Sequence, residues 1–335
     1  MSTTAALRVR FNIVPHTIRA STPSFSLACN QYKRIIHPAS FAASAASTPV
    51  ATPPFIFTHA NGFHKEIWEP VMARLTPPWG TGDMYAFDCR NHGDSAVLNK
   101  DVLEETFDWY SYARDILQFV DTFDLKKPIG VGHSYGANAF ILAELIRPGT
   151  FSAIVAVDPT MFPASASIKI NAPLTEMALR RRDTWKDRSE AKAQFLKKPF
   201  FQTWHKEVLD LYIEYGLIDS VAKDRTPQVT LKTPKFQEAA TFAYIGTGLM
   251  DAFERLNEVQ VPIHVIVGET SDINPAELVD AKMEKIQHGS MDMVLGAGHL
   301  LSLEKPDETA KFISAFLDRH MASQKPTEET PKARL

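Results

Sequence analysis

Between residues 50 and 160 the chain alternates short apolar runs with longer amphipathic stretches. "PPFIFTHANGF" is an apolar run that breaks at Thr58, and "KEIWEPVMARL" then carries Ile67, Val71, Met72 and Leu75 at helical spacing. "GDMYAFDCRNHGDS" predicts a strand and a polar turn, and "FDWYSYARDILQFVDTF" a helix. "KPIGVGHS" predicts a strand, "YGANAFILAELI" a helix, and "FSAIVAVDP" a strand of β-branched and small residues. Buried strands alternating with helices predict a mostly parallel sheet with helices on both faces. Ahead of this core, "LRVRFNIVPHTIRA" and "SFSLACNQYKRII" carry β-formers in partial alternation and predict two opening strands. The Ala/Ser/Thr/Pro stretch 39–54 predicts a flexible loop.

The rhythm breaks after the sixth strand. Residues 160–258 hold helical segments such as "PLTEMALRRRDTW", "EAKAQFLKKPF" and "KEVLDLYIEYGLI", with no parallel strand. "VPIHVIVGETSD" and "HGSMDMVLGAGH" then resume it, and the helix "DETAKFISAFLDRHM" closes it. The expected organisation is a core over 1–159 and 259–322, a helical cap over 160–258, and a tail over 323–335. A cap inserted there lies over the C-terminal strand ends, where open α/β sheets bind ligands.

Composition narrows the partners. A net charge of −3 offers no basic surface for nucleic acid, and no run of 18 apolar residues predicts a membrane span. Cys29 and Cys89 are too few for a disulfide framework and lack metal-ligand spacing. The first 65 residues contain no Asp or Glu and several basic residues, a bias shared with mitochondrial transit peptides; the β-formers in the segment favour strands. The chain ends in Ala333-Arg334-Leu335, a small–basic–Leu tripeptide of the type read by the peroxisomal import receptor. The expected compartment is the peroxisome, with the cytoplasm or mitochondrion as alternatives.

The chemistry centres on "GHSYG". Ser134 lies between Gly132 and Gly136, after a predicted strand and before a predicted helix. That is the setting of a strained strand-to-helix turn, which presents a serine as a nucleophile and needs small residues two before and two after it. The N–H of Tyr135, at the helix start, faces a developing oxyanion. A serine hydroxyl needs a base to act. Among 11 histidines, His133 adjoins the serine but points away from it, and His264 sits inside a strand. His299 ends "MDMVLGAGH" on a late loop, the order Ser-then-late-His that such a fold requires. For the acid that orients the base, Asp158 in "AVDPT" and Asp272 in "VGETSDINP" both end strands, with Glu269 as a further candidate; residue patterns alone leave the choice open.

These motifs together resemble the α/β-hydrolase family over residues 50–320. "FIFTHANGFHKEIW" is similar to an oxyanion loop, "FDCRNHGDS" to the D-x-R-x-H-G-x-S turn after the fourth strand, and "GHSYGA" and "GAGHLLSLEKP" to the serine and histidine loops. The resemblance implies an eight-stranded, mostly parallel sheet flanked by helices, with the cap after the sixth strand. "HANGFHKEIWEP", the cap stretch 180–217, "VTLKTPKFQEA" and the C-terminal tripeptide look like the fungal peroxisomal hydrolases of secondary metabolism. These include the acyl-CoA hydrolase of mycophenolic acid biosynthesis and hydrolases of Alternaria host-selective toxin clusters. In that branch the acid follows the sixth strand, 24 residues after the serine, which favours Asp158 and leaves Asp272 as the alternative. "HANG" departs from the plain H-G-G loop. The second oxyanion donor then lies between Asn61 and Phe63, with Phe63 favoured.

The implied activity is hydrolysis of an acyl ester or thioester, with a small-molecule acyl substrate and no metal or organic cofactor. An acyltransferase with the same three residues, or a general carboxylesterase or lipase, is the alternative. An epoxide or haloalkane hydrolase needs an Asp where Ser134 stands, and a scaffold without catalysis predicts a broken set of residues. Trp185, Phe195, Phe200, Phe201, Trp204, Phe242 and Tyr244 either line an acyl pocket or pack the cap. The cluster Arg180, Arg181, Arg182, Lys186 and Arg188 either attracts CoA phosphates or forms a solvated helix face.

Overall fold

The computed structural model of the chain describes residues 3–35, 53–75, 82–243 and 247–324. The core strands are β1 (Phe11–Arg19), β2 (Ser26–Arg34), β3 (Phe55–Thr58), β4 (Met84–Phe87), β5 (Ile129–His133) and β6 (Ala153–Val157). Cap strands β7 (Thr184–Trp185), β8 (Leu217–Val221) and β9 (Pro227–Leu231) follow, then β10 (Ile263–Gly268) and β11 (Gly289–Val294). Among the described residues, the core sheet has eight strands in the order β1-β2-β4-β3-β5-β6-β10-β11. Neighbours from β4 to β11 run parallel, and β2 is antiparallel to both β1 and β4. This is the mostly parallel sheet that the alternation predicts.

Period-two alternation sends the strand residues to two cores. Phe55, Phe57, Val131 and Val155 face one apolar cluster, while Ile56, Ile154 and Ala156 face the other. The first face is covered by α1 (Thr3–Arg10), α2 (Glu69–Arg74) and, late in the chain, α14 (Pro306–Ser323). The second face is covered by α4 (Trp109–Thr122) and α5 (Tyr135–Ile146), after the short α3 (Gly93–Leu98) of the β4 turn. α5 is buried from Tyr135 to Leu145, which explains its almost wholly apolar sequence.

The cap is built from α6 (Ala164–Arg180), α7 (Arg188–Phe195), α8 (Pro199–Gln202), α9 (Lys206–Tyr215) and α10 (Lys235–Ala243). It is not purely helical. β7, β9 and β8 form a three-stranded antiparallel sheet in that order. "KEVLDLYIEYGLI" predicts one continuous helix, but α9 stops at Tyr215 before Gly216, and Leu217 starts β8. Their short polar alternation, "LIDSV" against "PQVTL", is a weak hairpin signal beside three strong helices. α11 (Thr247–Glu254) packs on α4 and α5, so the helical layer of the core resumes before residue 258. α12 (Ala276–Lys285) and α13 (Leu301–Glu304) complete the chain order.

At the N-terminus, Leu7–Arg10 belongs to a helix rather than to the first strand. β1 starts at Phe11 and tolerates Pro15 because it lies on the sheet edge. The expected loop 39–54 falls outside the described residues except for Pro53 and Pro54, and the C-terminal tripeptide lies wholly outside them.

Candidate active site

Ser134 links β5 to α5 with φ 56° and ψ −118°. That left-handed conformation strains a residue with a Cβ, and it persists only where its surroundings fix it. The strand ladder fixes it from behind, because the Ser134 N–H donates to Val157 O at 2.8 Å. Small neighbours allow the sharp turn. A Cβ on Gly132 would lie 2.5 Å from Ala137 N, and one on Gly136 would lie 2.7 Å from His59 O. Both obstacles are backbone, so neither can move aside cheaply.

Asp158 stands one residue past β6, also at positive φ (42°), with its N–H donating to Ile266 O at 2.7 Å. Its carboxylate is fully buried and accepts four hydrogen bonds. Oδ2 accepts from His299 Nδ1 (2.5 Å), Ser271 Oγ (2.7 Å) and Asn274 Nδ2 (2.8 Å). Oδ1 accepts from Gly268 N–H at 3.1 Å. Burial pushes the carboxyl pKa up, but the donors, with His299 foremost, hold it below the usual carboxylate value. Asp158 is therefore ionised.

His299 follows β11 on a loop pinned at several points. Gly298 N–H donates to Glu304 Oε2 at 2.9 Å, and Thr270 N–H donates to Ala297 O at 2.9 Å. His133 turns away from Ser134, and its Nε2–H donates to the His299 carbonyl at 2.9 Å. The His299 imidazole thus bridges two elements: Nδ1–H donates to Asp158, and Nε2 accepts from the Ser134 hydroxyl at 3.0 Å. This tautomer follows from the ionised partner at Nδ1. Ser134, His299 and Asp158 meet in one hydrogen-bonded line at the C-terminal ends of β5, β6 and β11.

Asp272 is not part of that line. Its side chain is exposed, while its loop neighbours Ser271 and Asn274 turn inward to Asp158. Glu269 is exposed too and accepts from Gly296 N–H at 2.7 Å. The sequence singles out neither Ser271 nor Asn274, since nothing in "ETSDINP" says which polar side chain points inward.

The sequence predicts two amide donors beside the serine. The Tyr135 side chain is buried in an aromatic group with Trp109 and Tyr112, leaving its N–H at the start of α5. On the loop after β3, the expected donor Phe63 is already used: its N–H donates to Ala60 O at 3.2 Å, closing the "ANGF" turn. Among the described residues, the amides of Asn61 and Tyr135 have no acceptor. The turn geometry thus leaves the Asn61 amide, and not that of the expected donor Phe63, free on this loop.

The loop is clamped by core and cap together. Asn61 Nδ2 donates to Glu238 O at 3.0 Å, and His92 Nε2 lies 2.8 Å from Asn61 Oδ1. The "DCRNHGDS" turn supplies further anchors. The buried Lys65 ammonium contacts Asp88 (3.0 Å) and Asp94 (2.6 Å), and the cap's Lys232 reaches the other Asp94 oxygen at 2.6 Å. Burial disfavours the Lys65 ammonium, but these carboxylates outweigh it and hold the pKa well above the usual lysine value.

The cap aromatics mostly pack on one another. Phe195 stacks on Phe201 at 4.4 Å and meets Trp185 at 5.1 Å, and Trp204 meets Phe201 at 4.9 Å. Phe63 joins them through Trp204 at 5.5 Å. Phe200 faces outward, Phe242 is half-buried and Tyr244 lies outside the described residues. Four members of the basic cluster have acidic partners: Arg180–Glu176, Arg181–Glu238, Arg182–Glu190 and Arg188–Asp219. That pairing favours a neutralised cluster over a CoA phosphate site, with Arg180 and Arg182 solvated and Arg181 largely buried against Glu238 and Tyr212. Among the described residues, no group of three or more His, Cys, Asp or Glu side chains could hold a metal ion, and no helix is long and apolar enough to cross a membrane.

Residues 55–312 match the model of the alpha/beta hydrolase family. The chain belongs to this family. Within it, the chain is 24% identical to the peroxisomal membrane protein LPX1 of Saccharomyces cerevisiae over 75% of this chain and 71% of that protein. The crystal structure of that yeast α/β-hydrolase superposes with a TM-score of 0.79 at 22% identity, covering 97% of this chain and 94% of the other. The type I acyl-CoA thioesterase mpaH of Penicillium brevicompactum is 28% identical over 55% of this chain, a match spanning 48% of the thioesterase. The abhydrolase domain-containing protein ACTT2-1 of Alternaria alternata is 27% identical over 58% of this chain and 85% of that protein. As an α/β-hydrolase, the chain carries its cap after the sixth strand and the loops of its candidate site at the C-terminal edge of the sheet.

Proposed function

We propose that this α/β-hydrolase is a serine hydrolase that cleaves an acyl ester or thioester through an acyl-enzyme on Ser134. The observation that supports this reading is the continuous hydrogen-bonded line from the Ser134 hydroxyl through His299 to the buried, ionised Asp158. His299 Nε2 takes the hydroxyl proton as Ser134 Oγ attacks the acyl carbonyl. Asp158 holds the imidazole in the Nδ1–H tautomer and stabilises its cation without taking the proton. The Tyr135 and Asn61 amides hold the tetrahedral oxyanion. His299 then protonates the leaving group, which departs as an alcohol or thiol. In the second half-reaction, water adds to the acyl-enzyme, His299 takes its proton, and the acid is released.

The acyl-CoA thioesterase name of mpaH, a relative matched over 48% of its own length, supports an acyl-CoA type of substrate. The peroxisomal name of LPX1 supports a peroxisomal location. A fluorophosphonate probe should label Ser134 in the folded protein and not Ser134→Ala. A panel of acyl-CoAs and simple esters should show turnover that Ser134→Ala loses by at least about 10³-fold. Absence of labelling in active, folded protein would remove the serine-hydrolase reading. Transfer of the acyl group to added alcohols in preference to water would redirect it to an acyltransferase.

A further inference from the structure

The donors around Asp158 continue one residue deeper. Lys282 on α12 is 1% exposed, and its Nζ donates to Asn274 Oδ1. The same ammonium lies 4.9 Å from the centroid of the Phe162 ring. Asn274 directs Nδ2 to Asp158 Oδ2 at 2.8 Å, and its backbone N–H donates to Ser271 Oγ at 3.2 Å. Ser271 in turn donates its hydroxyl proton to Asp158 Oδ2 at 2.7 Å. Side chains therefore connect Lys282 to Asn274, Asp158, His299 and Ser134 in one series.

The amide of Asn274 can present either an oxygen or an NH₂ group to the carboxylate. Only the NH₂ attracts it; the oxygen repels it. A lysine ammonium has donors and no acceptor, so in its protonated form Lys282 engages the amide oxygen and leaves the NH₂ for Asp158. For packing alone, an apolar side chain would fill this position without desolvating an ammonium. Burial lowers the Lys282 pKa to about 7, against the opposing pull of the Asp158 charge. A costly buried amine placed behind a site acid is the arrangement expected of a group that serves the site.

We propose that Lys282 is a positioning residue for the reaction, holding Asp158 ionised and oriented toward His299 through the Asn274 amide. This rests on the reading of Ser134, His299 and Asp158 given above. The test is a double-mutant cycle on the full chain, with Lys282→Met, Asn274→Ala and the double variant, read as kcat and KM on a p-nitrophenyl acyl ester. Each single variant is expected to lose about tenfold or more in kcat with KM little changed, and the double variant to be no worse than Asn274→Ala. A Lys282→Met enzyme with wild-type kcat, or losses that multiply in the double variant, would overturn the proposal. Should Lys282→Met fail to fold, Lys282→Gln takes its place in the cycle, and wild-type kcat in Asn274→Ala overturns the proposal by itself. Fluorophosphonate labelling of the wild type separates the two levels. An active wild type that leaves Ser134 unlabelled overturns the underlying reading and this proposal with it, whereas a labelled wild type beside an unaffected Lys282→Met overturns only this one.

Discussion

Asp158 is held by donors on every side, and this makes its chemistry sensitive to a single atom. Replacing its carboxylate with an amide would set an NH₂ against one of these donors and remove the charge that stabilises a protonated His299. Asp158→Asn is therefore expected to lower kcat by about 10⁴ with the fold intact, as loss of the orienting acid does in serine hydrolases generally. Asp272→Asn, at an exposed side chain outside the hydrogen-bonded line, is expected to stay within about twofold of wild type. Steady-state kinetics on one ester, with circular dichroism to verify folding, checks both. The reverse result would move the acid to Asp272. The two aspartates look alike along the chain, since each follows a strand. What separates them is the direction of a side chain after the turn, which depends on the pairing of β6 with β10.

The strand–turn–helix around Ser134 is the most legible element. Its glycines, its apolar strand and its buried helix are local features, and together they leave one conformation for the turn. Gly136→Ala would drive a Cβ to within 2.8 Å of three atoms of Thr58 and His59, two of them backbone oxygens. The expected cost is about 1–3 kcal/mol, read as a lower urea midpoint at unchanged m, with most of the ester hydrolysis lost. A variant with wild-type midpoint and activity would show that the turn tolerates a side chain there. The cap is less legible. Its helices carry clear apolar spacing, but β7 is only two residues long and β8 and β9 are half-polar. Such strands are specified by one another across a sheet more than by their own sequences. The same holds for the "ANGF" loop, where the turn bond from Phe63 to Ala60 transfers the free amide to Asn61.

Several histidines are buried within the assembled fold, and this sets how its stability responds to acid. Burial lowers the pKa of His59 and His133 to about 3 and that of His264 to about 4. In the unfolded chain each titrates near the usual value of about 6.5. The folded state therefore keeps them neutral while the unfolded state binds protons. The stability they contribute is present above about pH 6.5 and is lost as pH falls from there toward 3–4. Asp158, whose folded pKa is depressed, adds to the loss only lower, as pH falls below the ordinary carboxylate value of about 3.9. Thermal melts should show Tm falling between pH 7.5 and 5, well above the carboxylate range. A flat Tm across that interval would contradict the burial of these neutral imidazoles.

By itself the sequence determined what depends on near neighbours along the chain: the strand–helix rhythm, the turn at Ser134 and the late loop that carries His299. Periodicity and glycine spacing are local, so they can be read from the chain alone. Tertiary structure alone decided which aspartate meets His299, which amide is free on the loop after β3, and that Lys282 stands behind Asn274. Each of those depends on where a side chain or an N–H points after distant strands have paired. "GHSYG" can be read from five residues, whereas the support of its histidine is drawn from β6, the loop after β10 and α12.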